Sequence, residues 1–440
     1  MKIDEIRTDI EAKIAAAYWP GYVHCYPHKK AYRPMQVDLR NAWDGVKQHN
    51  LYLHIPFCRR KCAYCNLFSC VQLENSLDQY VDALCKEMDM YGSLLKDSTL
   101  MSIYFGGGTP SLLTESQLKR IFLSIHKNFH LISDEIEPCL ESSPDDLTTE
   151  YLRILKEVGL KRISVGVQSF SQVALNDINR KYDSHNIYTI SDNLHKMGMS
   201  FNIDLIYGLP NQTELEAISN VKKAVELKPE SITIYPLAIR QLTGLESIGE
   251  DKVMSMRDKY DLFPKLRKIL EDSGYRCQTV VRFVRTDKST YQQQRLEYMG
   301  IPTVGVGAGA RSYAPKVHYC LPYKIDQHIV KGIIEKYINT KPTSLDYDAF
   351  YFDEDELKRK YVTLFLLDPG INVETYKKSF SSDVMKDFRN ELEALLELSM
   401  IKITDGMLVL TDKGRQYSDI AVEVFQSEQI KALYDNYIPE

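Results

Sequence analysis

The sequence predicts an α/β fold, a partial or full barrel of six β/α units followed by a small winged-helix-like α+β domain. Three observations carry this. From about residue 50 to 280, short apolar runs alternate with longer amphipathic stretches, the rhythm of a parallel sheet covered by helices. The apolar runs number six, at 51–55, 101–105, 135–140, 162–165, 201–206 and 231–235. Near the C-terminus, helical patterns lead into two short strand-like runs, 400–403 and 407–410, and then a last helix.

Residues 1–48 read as an N-terminal extension rich in Tyr, His and Pro, as in Tyr18-Trp19-Pro20 and Tyr26-Pro27-His28-Lys29-Lys30. Residues 49–280 form the barrel core. Its helical stretches lie near 77–96, 115–128, 147–158, 171–179, 185–197 and 214–227. In such folds the ligand site sits at the C-terminal ends of the strands. A further helix is expected near 251–273. Residues 281–345 are less regular and carry Gly305-Val306-Gly307-Ala308-Gly309, which lacks the spacing and the strand–helix context of a dinucleotide fingerprint. The acidic segment 347–360 opens a C-terminal domain over 346–440.

The chain's 440 residues suffice for one large domain plus a smaller one, without disulfides. Its net charge of −5 argues against a general nucleic-acid binder. No apolar run approaches a membrane span and no targeting segment is visible, so a cytoplasmic protein is expected. Three of the nine cysteines fall within eight residues, which in an intracellular chain points to metal ligands.

Those three stand in Cys58-Arg59-Arg60-Lys61-Cys62-Ala63-Tyr64-Cys65, directly after a predicted strand. Thiolates are the usual ligands of iron–sulfur clusters. Three cysteines on a [4Fe–4S] cube leave one iron free to bind a small molecule. Arg59, Arg60 and Lys61 are expected to offset the cluster's charge. A structural zinc site is the alternative, but it normally needs four closed ligands in separated pairs, and neither Cys70 nor His54 completes such a set. The other cysteines read as buried or incidental, with the role of Cys70 open.

The C-x3-C-x2-C spacing, with Tyr64 before the third cysteine, resembles the radical S-adenosylmethionine (SAM) superfamily. Further motifs are similar to its coproporphyrinogen III dehydrogenase (oxygen-independent oxidase) branch, from about residue 48 to 435. The resemblance implies the partial (β/α)6 barrel of that superfamily, with Cys58, Cys62 and Cys65 holding a [4Fe–4S] cluster. The strand-end stretch Tyr104-Phe105-Gly106-Gly107-Gly108-Thr109-Pro110 looks like the loop for the methionyl end of SAM. Glycine there lets the backbone come close, and free N–H groups can bind a carboxylate. By resemblance, Tyr52, Tyr64, Gly107, Gly108, Thr109, Glu141, Gln168, Arg180, Asp204 and Ala238 line the SAM pocket, with Arg180 suited to fork onto a carboxylate. The segment 305–311 resembles one that closes over a second SAM, although Arg311 replaces an apolar residue of the oxidases.

The implied chemistry is reductive cleavage of SAM to a 5′-deoxyadenosyl radical, which takes hydrogen from an unactivated C–H bond. The cofactors do the difficult chemistry and the protein positions them; no catalytic side chain is assigned. A small-molecule substrate and a one-electron reductant such as flavodoxin or ferredoxin are implied, with neither nucleic acid nor membrane as partner. Three readings compete. An oxidative decarboxylase of coproporphyrinogen agrees with the barrel and C-terminal segments, but Asn66-Leu67-Phe68 replaces its usual Gly-Cys. A heme chaperone fits that run better, yet its Trp-containing heme motif is absent at Ser289-Thr290-Tyr291-Gln292-Gln293-Gln294-Arg295. A two-SAM C-methyltransferase or cyclopropanase is the reading favoured, on Tyr26-Pro27-His28-Lys29 with Tyr32-Arg33, Tyr235-Pro236-Leu237 with Thr243-Gly244-Leu245, and Gly309-Ala310-Arg311-Ser312-Tyr313 with His318-Tyr319.

Overall fold

A computed structural model describes residues 2–71, 76–132, 136–285 and 293–437. Six strands form the core: β1 (Gln48–Ile55), β2 (Thr99–Gly107), β3 (Cys139–Ser142), β4 (Arg162–Gln168), β5 (Ser200–Tyr207) and β6 (Ser231–Pro236). They lie side by side in chain order and each adjacent pair is parallel. Parallel neighbours need crossover connections, which wind in one hand and bring every C-terminal strand end to the same rim.

The crossover helices form where side chains cap them. Thr114 and Gln117 build a reciprocal capping box at Glu115–Asn128, and Thr213 and Glu216 build another at Glu214–Glu226. Both helices bury an apolar stripe, including Leu118 and Ile121 in one and Val221 in the other.

The barrel does not close on itself. Beyond β6 the sheet continues through the antiparallel strands Arg282–Arg285 and Tyr275–Cys277. Beyond β1 it continues through Thr303–Val306, parallel to β1, and then the antiparallel strands Arg311–Tyr313, Val317–Cys320 and Tyr347–Tyr351. The segment 303–320 thus extends the barrel wall rather than standing apart from it.

Three expected elements shift for local reasons. The third strand begins at Cys139, because Pro138 has no N–H for the ladder; Glu135 lies outside the described residues. The expected 171–179 helix is only Gln172–Asp177, followed by Asn179 in the left-handed region (φ 58°). The 251–273 helix starts at Met256, where the Ser255 side chain caps the N–H of Asp258.

The two chain ends pack on each other. The helix Ile3–Ala15 lies against Arg389–Glu397, where Arg7 and Glu397 form a 2.8 Å ion pair. The strands Ile401–Thr404 and Met407–Leu410 form a hairpin, with Ile371–Asn372 as third strand. Buried Asp419 accepts hydrogen bonds from Trp19 Nε1 and from the N–H of Val23, both 2.9 Å, and so steers residues 19–28 along the molecule.

Candidate functional site

The rim where the parallel strands end opens into a cavity of about 670 Å³. Every residue that the sequence singled out for the cluster or for SAM borders it: Cys58, Cys62, Cys65, Tyr52, Tyr64, Gly107, Gly108, Thr109, Glu141, Gln168, Arg180, Asp204, Ala238 and Arg311.

The cysteine loop follows β1 and is held from several sides. The N–H of Ala63 donates to the carbonyl of Ile178, and that of Leu245 to the carbonyl of Ala63, both at 3.0 Å. Lys61 Nζ donates to the carbonyl of Ile325 at 2.8 Å. Gly244 lies so close to Ala63 that a side chain there would sit 3.1 Å from its Cα. Arg59 pairs with Asp146 at 2.9 Å and, like Arg60 and Lys61, borders the cavity. Cys70 pairs its short strand with Phe57–Cys58 and stays outside the cavity, which makes it structural.

Of the nine cysteines only these three border the cavity. Burial pushes the Cys58 thiol up to about 12 and raises Cys65 as well, so a bound cation is what would ionise them. Among the described residues no three His, Cys, Asp or Glu side chains converge closely enough for a single metal ion. Three thiols bordering one cavity suit an iron–sulfur cluster, whose usual ligands are cysteine thiolates.

The glycine loop at the end of β2 behaves differently from the expectation. Its N–H groups are already engaged: Gly107 donates to Glu141 Oε2 at 3.1 Å, Gly108 to the carbonyl of Ile55 at 2.7 Å, and Thr109 to the carbonyl of Phe57 at 2.8 Å. The loop is therefore a close-packed splice between β1 and β2 rather than an open anion nest. A Cβ on Gly108 would lie 2.6 Å from the Phe57 carbonyl oxygen and 2.9 Å from Cys58 Sγ. Gly107, at φ 117°, packs against the His54 ring, where a Cβ would come within 2.8 Å.

Glu141, at the end of β3, is braced by this loop and by Tyr104, whose hydroxyl donates to Oε1 at 2.8 Å. Burial raises its carboxyl to about 7, and neighbouring Asp204 adds to the shift. Asp204 accepts from Asn202 Nδ2 at 2.8 Å and Ser164 Oγ at 3.0 Å; burial raises it too, while Arg282 opposes the shift. At the end of β4 a bulge puts Gln168 in the left-handed region (φ 63°), which costs about 1–2 kcal/mol for a residue with a Cβ. The kink swings Gln168 beside Arg180 over Gly166, whose missing side chain leaves room for both. Arg180 donates to the Gly166 carbonyl at 2.8 Å and to Ser143 Oγ at 3.2 Å, and its buried Nε has no hydrogen-bond partner. The Arg180 guanidinium and the raised Glu141 carboxyl border the same cavity, a cation and an acid that suit a ligand with one carboxylate and one ammonium.

The rest of the wall was only partly foreseen. Tyr22, His24, Tyr104, Arg282, Glu297 and Tyr323 border the cavity without having been singled out. Strand alternation would have exposed Tyr104, which pairs with Tyr52 in register and stacks on it at 6.0 Å. His24 and Tyr22 come from the N-terminal extension and carry no local signal. Of the segments that suggested methyl transfer, His28, Tyr235, Pro236, Leu237, Gly309, Arg311 and Tyr313 border the cavity. The others serve the scaffold: Tyr26 donates to Glu356 at 2.6 Å, Arg33 binds the Leu433 carbonyl at 2.9 Å, and Tyr319 accepts from Trp43 at 2.7 Å. Residues 289–292 of the compared heme motif lie outside the described residues, and the remaining Gln293–Arg295 open a helix.

Comparison with known proteins agrees with this geometry. A profile of the Radical SAM superfamily matches residues 52–224, and one of the HemN C-terminal domain matches residues 353–417. The oxygen-independent coproporphyrinogen III oxidase of Escherichia coli (strain K12) is 30% identical over 380 residues, covering 83% of this chain and 81% of that one. The heme chaperone HemW of Lactococcus lactis subsp. lactis is 28% identical over 403 residues, covering 87% of this chain and 99% of the chaperone. The solved structure of coproporphyrinogen III oxidase (HemN) from Escherichia coli superposes with a TM-score of 0.78 over 95% of this chain and 98% of that one, at 22% identity, so the fold is shared along almost its whole length. These relatives are oxidases and a chaperone, not the methyltransferase or cyclopropanase type that the sequence segments suggested. The chain belongs to the radical SAM superfamily, in the family that holds the oxygen-independent coproporphyrinogen III oxidases and the HemW heme chaperones, with a [4Fe–4S] cluster and SAM as its cofactors.

Proposed function

We propose that this chain is a radical SAM enzyme whose substrate is a tetrapyrrole. The observation that carries the reading is a single cavity lined by two unlike sets of residues. One set is the three thiols, Glu141 and the Arg180 guanidinium. The other is aromatic and basic, with Tyr22, His24, Tyr235, Arg311 and Tyr323. Flat apolar faces ringed by cations suit a planar macrocycle bearing carboxylates, and the relatives named above act on coproporphyrinogen or carry heme by name.

Cys58, Cys62 and Cys65 hold the cluster, and Arg180 with Glu141 orients SAM by its carboxylate and ammonium. When bound, these cofactors supply a 5′-deoxyadenosyl radical that takes a hydrogen atom from a C–H bond. Asp204, fixed by Asn202 and Ser164, presents its carboxylate to the same space; Tyr52 and Tyr104 supply an apolar face. The packed glycine loop keeps the cysteine loop and Glu141 in register, so cluster and SAM are positioned by one splice.

Hydrogen abstraction from the tetrapyrrole itself is the reading preferred. A second, two-SAM C-methylation or cyclopropanation, is favoured by Tyr235, Arg311 and Tyr313 bordering the cavity. One experiment separates them. Anaerobically reconstituted, reduced enzyme is incubated with methyl-deuterated SAM and with coproporphyrinogen III or heme. Tetrapyrrole-stimulated 5′-deoxyadenosine without deuterium supports the first reading. Deuterium in 5′-deoxyadenosine, with S-adenosylhomocysteine, supports the second. Formation of 5′-deoxyadenosine at the same rate with and without every tetrapyrrole refutes both as tetrapyrrole chemistry.

A further inference from the structure

Arg311 is in an unusual position for a guanidinium. It sits on the short strand Arg311–Tyr313, in the cavity wall, and burial removes much of its hydration. Its polar contacts are His24 Nε2 at 3.0 Å and Cys25 Sγ at 4.0 Å, and its guanidinium carbon lies 5.6 Å from the centre of the Tyr323 ring. Among the described residues no carboxylate lies within ion-pair distance of it. The nearest candidate acid in the wall, Glu297, instead accepts from Gln293 Nε2 at 3.3 Å and Thr303 Oγ1 at 3.1 Å.

The neighbourhood adds little further positive charge. His24 and His28 stand with ring centres 5.9 Å apart, and burial together with His24 and Arg311 holds His28 neutral, well below its ordinary value. Lys29 Nζ lies 3.9 Å over the Tyr323 ring, and burial and Arg311 push it down to about 7. The adjacent Cys25 thiol is brought down to about 7 against its own burial by His24 and Arg311. Desolvating a charge without pairing it costs several kcal/mol. A fork of N–H donors that is charged at every working pH and faces a ligand cavity recovers that cost when a carboxylate arrives.

We infer that Arg311, with His24 beside it, is a carboxylate-binding subsite of this cavity. It rests on the tetrapyrrole reading only for the source of the carboxylate, which is either a side-chain carboxylate of the macrocycle or the methionyl carboxylate of a second SAM. In the free site His24 Nε2 accepts from the guanidinium. A bound carboxylate takes over that N–H, and the His24 ring becomes free to turn toward the ligand.

The test uses the reconstituted full-length enzyme with one equivalent of SAM, and the variants R311Q and R311K. Protoporphyrin IX and its dimethyl ester are titrated by absorbance at that one equivalent, and in separate samples labelled SAM is supplied in excess and counted by equilibrium dialysis. Loss of a charge-assisted carboxylate contact corresponds to roughly a tenfold to hundredfold weaker Kd. That loss in R311Q for the free acid, partial recovery in R311K, and no effect of R311Q on the ester assign the subsite to the macrocycle. Unchanged porphyrin binding with loss of a second equivalent of SAM assigns it to SAM. If the wild type binds no porphyrin, the tetrapyrrole reading falls while the SAM count still decides the subsite. Binding of porphyrin acid and of SAM at wild-type levels in R311Q, with the variant's thermal melt unchanged, overturns the inference.

Discussion

Gly108→Ala is a small change that separates positioning from chemistry. The added methyl would stand 2.6 Å from the Phe57 carbonyl oxygen, 2.9 Å from Cys58 Sγ and 2.9 Å from the Pro56 carbonyl carbon. Two of these are backbone atoms, so no side-chain rotation relieves the overlap. The glycine loop must lift from the cysteine loop by several tenths of an ångström. Overpacking of this kind costs about 1–3 kcal/mol, and each backbone bond weakened, Gly108 to Ile55 and Thr109 to Phe57, adds about 1 kcal/mol, for about 3–5 kcal/mol in all. Chemical denaturation followed by circular dichroism reads the stability. Iron and sulfide analysis after anaerobic reconstitution reads the cluster, and chromatography reads 5′-deoxyadenosine. The expectation is a destabilised protein with reduced iron and strongly reduced SAM cleavage. Gly332→Ala is the control: it lies in the helix Gln327–Asn339, meets nothing within 4 Å, and should stabilise by up to about 1 kcal/mol. A G108A protein within about 0.5 kcal/mol of wild type, the scatter of neutral surface changes, with full iron and full SAM cleavage, would refute the splice argument.

Two further expectations follow from the same geometry. Glu141 is held at about 7 by burial, so the carboxylate that meets the SAM ammonium forms only as pH rises through that value. SAM affinity measured by dialysis should therefore strengthen between pH 6 and 8 in wild type and stay flat in E141Q. For stability the sign is reversed: the folded carboxyl titrates above its ordinary 4.5, so stability present below that value is lost as pH rises through about 7. Asp419→Ala leaves the Trp19 indole N–H and the Val23 N–H without their acceptor, a cost of about 2–4 kcal/mol for two partly buried donors. Its Trp19 fluorescence should shift to the red and its porphyrin binding weaken, because Tyr22 and His24 depend on that anchor. Unchanged fluorescence and unchanged denaturation would contradict this.

Much of the barrel was legible because each core strand is a short apolar run between polar helices, and helix starts such as Thr114 and Thr213 announce themselves by their side chains. The third strand slipped because Pro138 interrupts hydrogen bonding without interrupting hydrophobicity. The cluster and SAM residues were readable because they sit at strand ends next to glycines, where a local motif reports a tertiary position. The part of the lining that comes from the N-terminal extension was not. Tyr22 and His24 reach the cavity through contacts such as Val23 to Asp419, 396 positions apart in the chain, and no window of sequence contains such a pairing. Tyr26, Arg33 and Tyr319 misled in the other direction, because Tyr hydroxyls and Arg forks that look poised for chemistry are used to tie the chain ends to the barrel. The N–H groups of the glycine loop, read as free donors, are consumed by Glu141 and by the cysteine loop.

The central claim is that Cys58, Cys62 and Cys65 hold the cluster that cleaves SAM in the cavity at the strand ends. Its most direct test compares Cys62→Ala with Cys70→Ala after anaerobic reconstitution and reduction, scoring iron content and 5′-deoxyadenosine from SAM. The account predicts that Cys62→Ala loses the cluster's absorbance and all SAM cleavage, while Cys70→Ala, which lies outside the cavity, keeps both. Retained 5′-deoxyadenosine formation in Cys62→Ala would contradict it.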